Sequence, residues 1–121
     1  MNMTLLVDQI KAHQDYPKAG MILCHNGVVR QTSRDGRQVT GLKVKVDHER
    51  LEAIIHEQKK RSGIIDILIH INEEKLLEVG DDVMFLVVAG DIRENVLAAL
   101  TDTLNLVKSQ ATSKTQFYAD E

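Results

Sequence analysis

Aromatic residues and cysteine are scarce in this 121-residue chain, which has one Cys, one Pro, two Tyr, two Phe and no Trp. So few rings cannot supply a platform on which nucleic-acid bases stack. The lone cysteine, Cys24, excludes an internal disulfide and is typical of a reducing compartment. The core must therefore consist mainly of Ile, Leu and Val side chains.

Long apolar runs and an excess of positive charge are also lacking. No segment approaches the roughly 20 apolar residues of a membrane helix, and the N-terminal residues lack the pattern of a signal peptide. The formal net charge of -3 argues against a general binder of nucleic acid or anionic membranes. We therefore expect a single cytoplasmic domain over residues 1–121, with neither nucleic acid nor membrane as a partner.

The first half of the hydrophobic pattern predicts a helix followed by two strands. The helix begins near Thr4, and the first strand lies within residues 20–30, where Gly27 marks a bulge or a close backbone approach. Alternating apolar and charged residues predict the second strand over residues 42–47. Because a polar loop with an Asp-Gly turn joins the two strands, we expect them to form a hairpin.

The second half predicts a helix, two strands and a last helix. The helix runs from residue 47 or 48 to Gly63, and the strands cover residues 64–72 and 83–89. The strand over residues 83–89 is apolar throughout, as expected of a central strand covered on both faces. The last helix extends from Ile92 to Val107 with Asp91 as its cap, and residues 110–121 are expected to be a mobile tail. The order α-β-β-α-β-β-α predicts an α+β fold with an antiparallel-rich sheet and helices packed on it.

Generic catalytic and metal motifs are missing from the sequence. His25 and His70 could share a metal only if their strands pair, and neither has a carboxylate or Cys at ligand spacing, so no metal site is predicted. Neighbouring strand residues point to opposite faces, which places Cys24 poorly for proton transfer with His25. We interpret Cys24 as a small core residue and His25 as an ordinary strand residue.

Several basic residues stand where they could bind an anion. Three of them share the loop after the first strand, one opens the last helix, where a cation opposes the helix dipole, and two follow near its end. Spacing alone does not distinguish these residues from solvated surface charges. The six candidates are Arg30, Arg34, Arg37, Arg93, Lys108 and Lys114.

The serial order of short motifs resembles the large, catalytic subunit of molybdopterin synthase. Gly27-Val28-Val29-Arg30 ends a strand, and Asp35-Gly36-Arg37 and a strand beginning Val-x-x-Leu follow. A strand ending in His70 comes next, then a Leu-x-Val-Gly-Asp turn, Ile92-Arg93 at the start of the last helix and Lys108 at its end. The resemblance extends over about residues 19–115 and implies the α/β hammerhead fold of that family.

This family converts cyclic pyranopterin monophosphate into molybdopterin, with sulfur delivered as a thiocarboxylate on the C-terminal Gly-Gly of a small ubiquitin-like subunit. The resemblance implies this sulfur transfer in molybdenum cofactor biosynthesis, without a cofactor, in a homodimer that forms a heterotetramer with the small subunit. Lys108 and Lys114 are the implied catalytic residues. The implied substrate-binding residues are Arg30, Arg37, His70 and Arg93, of which Arg93 could serve the neighbouring subunit.

Departures from the family pattern leave two alternatives open. Val28, Ile71, Asn72 and Ile92 replace the residues that the family has at these positions, and Lys114 is offset by about one position in an altered tail. One alternative is a non-catalytic paralogue that keeps the fold and binds the partner or the pterin without turnover. The other is an unrelated small α+β binding domain whose basic residues are surface charges.

Overall fold

The computed structural model describes residues 1–120 and has three α-helices and six β-strands within them. The predicted α+β fold is confirmed, and two of the strands, β4 and β6, were not predicted. The helices are α1 (Met3–Lys11), α2 (His48–Lys59) and α3 (Arg93–Leu106). The strands are β1 (Met21–Val28), β2 (Val39–Val46), β3 (Ile64–Ile71), β4 (Leu77–Glu78), β5 (Asp82–Gly90) and β6 (Thr112–Tyr118).

The first sheet has the strand order β1-β5-β3, and both pairings are antiparallel. The central strand β5 is buried from Met84 to Gly90, as expected of an apolar strand that is covered on both faces. A register shift between Gly27 and Val28 confirms the predicted bulge at the end of β1. The predicted hairpin of the first two strands is wrong, because β1 pairs with β5 and β2 belongs to the other sheet.

The second sheet has the strand order β4-β2-β6. Its strand β2 buries Leu42 and Val44 and exposes Lys43 and Lys45, which suits a sheet with one face toward solvent. The strand β4 has only two residues, too few for a hydrophobic period to reveal it.

Most of the expected mobile tail is in fact the strand β6, which pairs with β2 along its whole length. The prediction of a tail over residues 110–121 is wrong for this strand, while Glu121 lies outside the described residues. The physical reason is that an edge strand with one solvent face needs few apolar side chains, so a polar composition did not exclude pairing.

Two apolar clusters lie on opposite faces of β5. On one face Leu86 and Val88 pack with side chains from α2, α3 and the second sheet. On the other face Phe85 and Val87 pack against Leu6 and Ile10 of the helix α1. Burying each of these apolar side chains contributes about 1.5–3 kcal/mol of transfer free energy, so β5 is the centre of the fold.

The start of α3 differs from the prediction by one residue. Ile92, not Asp91, occupies the N-cap position, and the Asp91 Oδ1 atom accepts hydrogen bonds from the Ile92 backbone N–H at 2.6 Å and from the Asn95 side chain at 2.9 Å. The hydrogen bond from Asn95, and then that from Ile92, lower the pKa of Asp91. Gly63 has a φ of +80° beside this carboxylate, which confirms that the chain turns there at a glycine.

Candidate functional site

The C-terminal end of α3 continues into a π-helical turn, Val107–Ala111, that carries Lys108. Val107 and Ala111 are buried in the core and fix this turn, and the Ala111 carbonyl accepts a hydrogen bond from the Asp47 backbone N–H at 2.8 Å. The strand β6 begins at the next residue and carries Lys114, opposite Val44 in the register with β2. The turn and the strand thus bring both lysines to the region between the two sheets.

A cavity of about 320 Å³ lies between β1, β2, β5 and the π-helical turn. Apolar side chains of both sheets form much of its wall, among them Leu42, Val44, Ile71, Val83 and Met84. Its polar and charged lining consists of His25, Arg34, Lys108, Thr112 and Lys114. An apolar pocket with a few converging polar groups is typical of a small-molecule site.

A second cavity of about 500 Å³ adjoins the first and lies between the β1–β2 loop and β6. Arg34, Lys108 and Lys114 line both cavities, so the two form one continuous groove with cations at their junction. Arg30 lines the second cavity, where its Nε–H donates a hydrogen bond to the Thr32 carbonyl at 2.7 Å. The structure therefore brings together four of the six candidate cations, namely Arg30, Arg34, Lys108 and Lys114.

The electrostatic character of the groove is positive. No ion pair with a carboxylate forms at Arg34, Lys108 or Lys114 within the part of the chain that the structure describes. Asp35 is the acidic residue that lines the second cavity, and the Ser33 hydroxyl donates a hydrogen bond to its carboxylate. That hydrogen bond is the largest cause that lowers the pKa of Asp35. The three cations are thus available to an anionic ligand.

Arg37, which the resemblance implied as a substrate-binding residue, instead lies outside this groove. Its Nη2 atom is 3.0 Å from the Asp120 carboxylate, and its guanidinium carbon lies 3.7 Å from the centre of the Tyr118 ring. These contacts join the loop before β2 to the end of β6.

His70 and Arg93 also lie away from the groove. The His70 ring is 6.3 Å from that of Phe85, and its Nε2 atom is 3.1 Å from the Asn72 Oδ1 atom, beside the helix α2. Arg93 is exposed at the start of α3, with its Nε atom 3.7 Å from the Glu94 carboxylate. The proposed roles of both residues at a substrate remain predictions.

The first cavity is also lined by Arg34, one of the six candidate cations, and by His25, interpreted from the sequence as an ordinary strand residue. The sequence signal that could have identified His25 is its position two residues before Gly27, because strand residues two apart point to the same face of the sheet. Burial, and then the positive charge of Lys108, lower the pKa of His25. The neighbouring Cys24 is exposed, so its assignment to the core is wrong.

His25 and His70 do not meet, because β5 lies between their strands. Among residues 1–120, no three His, Cys, Asp or Glu side chains form a group that could hold a metal ion. Within the same residues, no helix is both long and apolar enough to cross a membrane.

The fold is similar to those of several solved structures. A molybdopterin synthase structure from Staphylococcus aureus shares 19% sequence identity, with a TM-score of 0.73 over 86% of this chain and 78% of that chain. A molybdopterin biosynthesis MoaE protein from Burkholderia ambifaria shares 21% identity, with a TM-score of 0.77 over 99% of this chain and 79% of the other. A complex of subunits 1 and 2 of the molybdopterin-converting factor from Helicobacter pylori shares 18% identity, with a TM-score of 0.70 over 100% and 86% of the two chains.

Sequence comparison gives the family directly. An uncharacterized protein of Methanocaldococcus jannaschii is 32% identical over 95 residues, which are 75% of this chain and 79% of the relative. The family described as MoaE protein matches residues 2–110. This match covers most of the described chain and agrees with the fold, and it excludes the alternative of an unrelated binding domain. The chain therefore belongs to the MoaE family, the large subunits of molybdopterin synthase, and is a divergent member of it.

Proposed function

We propose that this chain is a catalytic large subunit of molybdopterin synthase. It transfers sulfur from the thiocarboxylate of a small ubiquitin-like subunit to cyclic pyranopterin monophosphate. The observation that carries the proposal is the meeting of Lys108, Lys114 and Arg34 at the junction of two adjoining cavities, with no carboxylate paired to any of them in residues 1–120. Both the phosphate of the pterin and the thiocarboxylate are anions, which such a junction binds.

The two cavities suit the two reactants. The first cavity has an apolar wall and a cationic rim, which fits a ring with a phosphate attached. The second is lined mostly by polar and charged groups of the β1–β2 loop and β6, and it could admit an extended Gly-Gly tail that carries no side chains. Arg34 at the junction of the cavities would hold the phosphate, with Arg30 beside it in the second cavity, because a planar guanidinium can contact two phosphate oxygens at once.

Lys108 is the proposed general acid/base or charge-stabilising residue, with Lys114 in support. The fixed π-helical turn places Lys108 in both cavities, where it can reach either reactant. A lysine there can exchange a proton with the reacting groups or stabilise negative charge that develops on them. Arg93, exposed at the other end of α3, remains available to the site of a neighbouring subunit in the proposed homodimer.

The test is product formation with a thiocarboxylated small subunit and cyclic pyranopterin monophosphate. We expect Lys108→Ala to lower the rate by about 10²-fold or more, a typical loss for a general acid/base. Lys43→Ala is the matched control, because Lys43 is exposed on β2 and lies outside both cavities. Lys108→Arg separates the roles, since arginine keeps the charge but does not exchange a proton. Undiminished product formation by Lys108→Ala would refute the proposal.

A non-catalytic paralogue is the second candidate. The observation that favours it is the exposure of Val28 and Ile92, which are 54% and 52% accessible where the family has a basic residue and a His. Exposed apolar residues at these positions leave fewer charged groups for a substrate. This candidate would be supported if the wild-type chain binds pyranopterin but forms no product in the presence of the thiocarboxylated small subunit.

A further inference from the structure

His25 differs chemically from the other polar groups of the first cavity. Arg34, Lys108 and Lys114 can only donate hydrogen bonds, whereas a neutral imidazole has one donor and one acceptor nitrogen. The Thr112 hydroxyl donates a hydrogen bond to the Val107 carbonyl at 3.4 Å, and its oxygen keeps lone pairs that can accept. His25 is therefore the lining ring that can accept a hydrogen bond among cations that only donate.

The position of His25 keeps that acceptor directed into the cavity. It is opposite Leu86 in the register of β1 and β5, on the same face as Gly27, which also lines the cavity. The Nε2 atom lies 3.5 Å from where a Cβ atom on Gly27 would be, so the ring extends along β1 toward the groove. Neither ring nitrogen makes a hydrogen bond to any of residues 1–120.

The surroundings of His25 favour the neutral ring. The charged groups that face the cavity are Arg34 from the loop, Lys108 from the π-helical turn and Lys114 from β6, and no acidic side chain of residues 1–120 lines it. Burial, and then the charge of Lys108, lower the pKa of His25 from its ordinary value, so the imidazole is neutral at neutral pH. A protonated ring would lose the acceptor.

We propose that His25 determines specificity, accepting a hydrogen bond from an N–H group on the heterocyclic ring of a ligand whose anionic group is bound by Arg34 and Lys108. This inference rests on the proposed function for the class of ligand, a pterin phosphate. The new element is the role of His25 in specificity. The cations bind a simple anion and a pterin phosphate alike, whereas His25 favours the ligand whose ring presents an N–H donor.

The experiment uses calorimetry to measure the affinity of the full chain for two probes, each of which represents one half of such a ligand. The ring probe is 6-hydroxymethylpterin, which carries no phosphate, and the anion probe is sulfate, whose charge is constant from pH 5.5 to 7.5. We expect His25→Phe to weaken pterin binding about tenfold, as for the loss of a buried hydrogen bond, and to leave sulfate affinity within about twofold. His25→Gln keeps an acceptor and is expected to remain within about threefold of wild type for both probes.

The pH dependence provides a second readout if His25→Phe does not fold. As the pH falls through the lowered pKa of His25, the wild-type affinity for the pterin should fall while that for sulfate rises, because protonation removes an acceptor and adds a charge. Both trends should be absent in His25→Gln. Unchanged pterin binding by His25→Phe, equal losses for both probes, or identical pH trends in wild type and His25→Gln would overturn the inference. A wild type that binds both probes but forms no product with the thiocarboxylated small subunit and cyclic pyranopterin monophosphate would instead count against the proposed function alone.

Discussion

The guanidinium carbon of Arg37 lies 3.7 Å from the centre of the Tyr118 ring, which joins the loop before β2 to the end of β6. The Asp120 carboxylate accepts a hydrogen bond from the same guanidinium group at 3.0 Å. The loop and the strand form opposite walls of the second cavity. Arg37 therefore links the β1–β2 loop to β6, and the contact with the substrate that the family resemblance implied remains a prediction.

Replacing Arg37 tests this distinction. We expect Arg37→Ala to lower the free energy of unfolding by about 1 kcal/mol, because an exposed cation–π contact and a surface ion pair each contribute up to about that amount. Arg37→Lys keeps a charge for Asp120 but loses the planar group over Tyr118. Its free energy of unfolding should therefore lie between those of the wild type and Arg37→Ala. Denaturant unfolding measures both variants. A large rise in KM at unchanged stability would show that Arg37 binds the substrate directly.

Gly63 is expected to tolerate no side chain. An added Cβ atom would lie 2.3 Å from the Asp91 Oδ1 atom, and the φ of +80° is unfavourable for any other residue. We expect Gly63→Ala to lower the free energy of unfolding by about 2 kcal/mol or more. Gly36→Ala is the control, because Gly36 has a similar φ of +88° with open space around it. Equal losses in the two variants would show that the contact with Asp91 adds nothing.

The strand β6 is expected to be essential for stability. A chain that ends after Ala111 loses the whole β2–β6 ladder, and each ladder hydrogen bond contributes about 0.5–1.5 kcal/mol net. We expect the free energy of unfolding to fall by about 3 kcal/mol or more in this truncation. A chain that ends after Tyr118 keeps the ladder and serves as the control. An unchanged thermal midpoint in the shorter chain would restore the interpretation of these residues as a mobile tail.

The contact between His48 and Glu73 predicts a pH-dependent contribution to stability. The His48 Nε2 atom lies 2.7 Å from the Glu73 carboxylate, and this hydrogen bond, followed by the carboxylate charge, raises the pKa of His48. Because the folded pKa exceeds the unfolded value of about 6.5, the stabilisation is fully present below that pH and is lost as the pH rises through the folded pKa.

Urea unfolding of the wild type and of Glu73→Gln over pH 5–9 measures this contribution. The difference in stability between the two chains should be largest at the acidic end, provided that Glu73 remains ionised, and should shrink toward pH 9. His48→Gln should show the same pattern. A difference that does not vary with pH would contradict the ion pair as its cause.

Predictions from the sequence were correct where a pattern is local. The helix α2 begins at His48, as predicted, and the Asp47 side chain caps it by accepting a hydrogen bond from the Arg50 backbone N–H at 3.1 Å. The apolar residues of β5 predicted a central strand, and the bulge at Gly27 followed from its position in β1. These features depend on periods of two or 3.6 residues and on residues that cap or turn the backbone.

Pairing between distant strands could not be predicted from the same patterns. Residues 39–46 pair with residues 112–118, and β1 pairs with β5, because the two sheets bury their apolar faces against each other only in this arrangement. Composition indicated that residues 112–118 were polar, but an edge strand requires only backbone groups and one half-buried face. The membership of His25 and Arg34 in the site also depends on this long-range packing.

The sequence alone determined the α+β class, the central strand, the start of α2 and the candidate cations, since each follows from nearby residues. Only the tertiary structure decided which of those cations share a groove and which strand neighbours which. It joined Lys108 and Lys114 to Arg34 across two cavities, and it left Arg93 and His70 elsewhere on the subunit. The physical reason is that a site for an anion requires charges to converge in space, and convergence is set by burial of the sheets rather than by spacing along the chain.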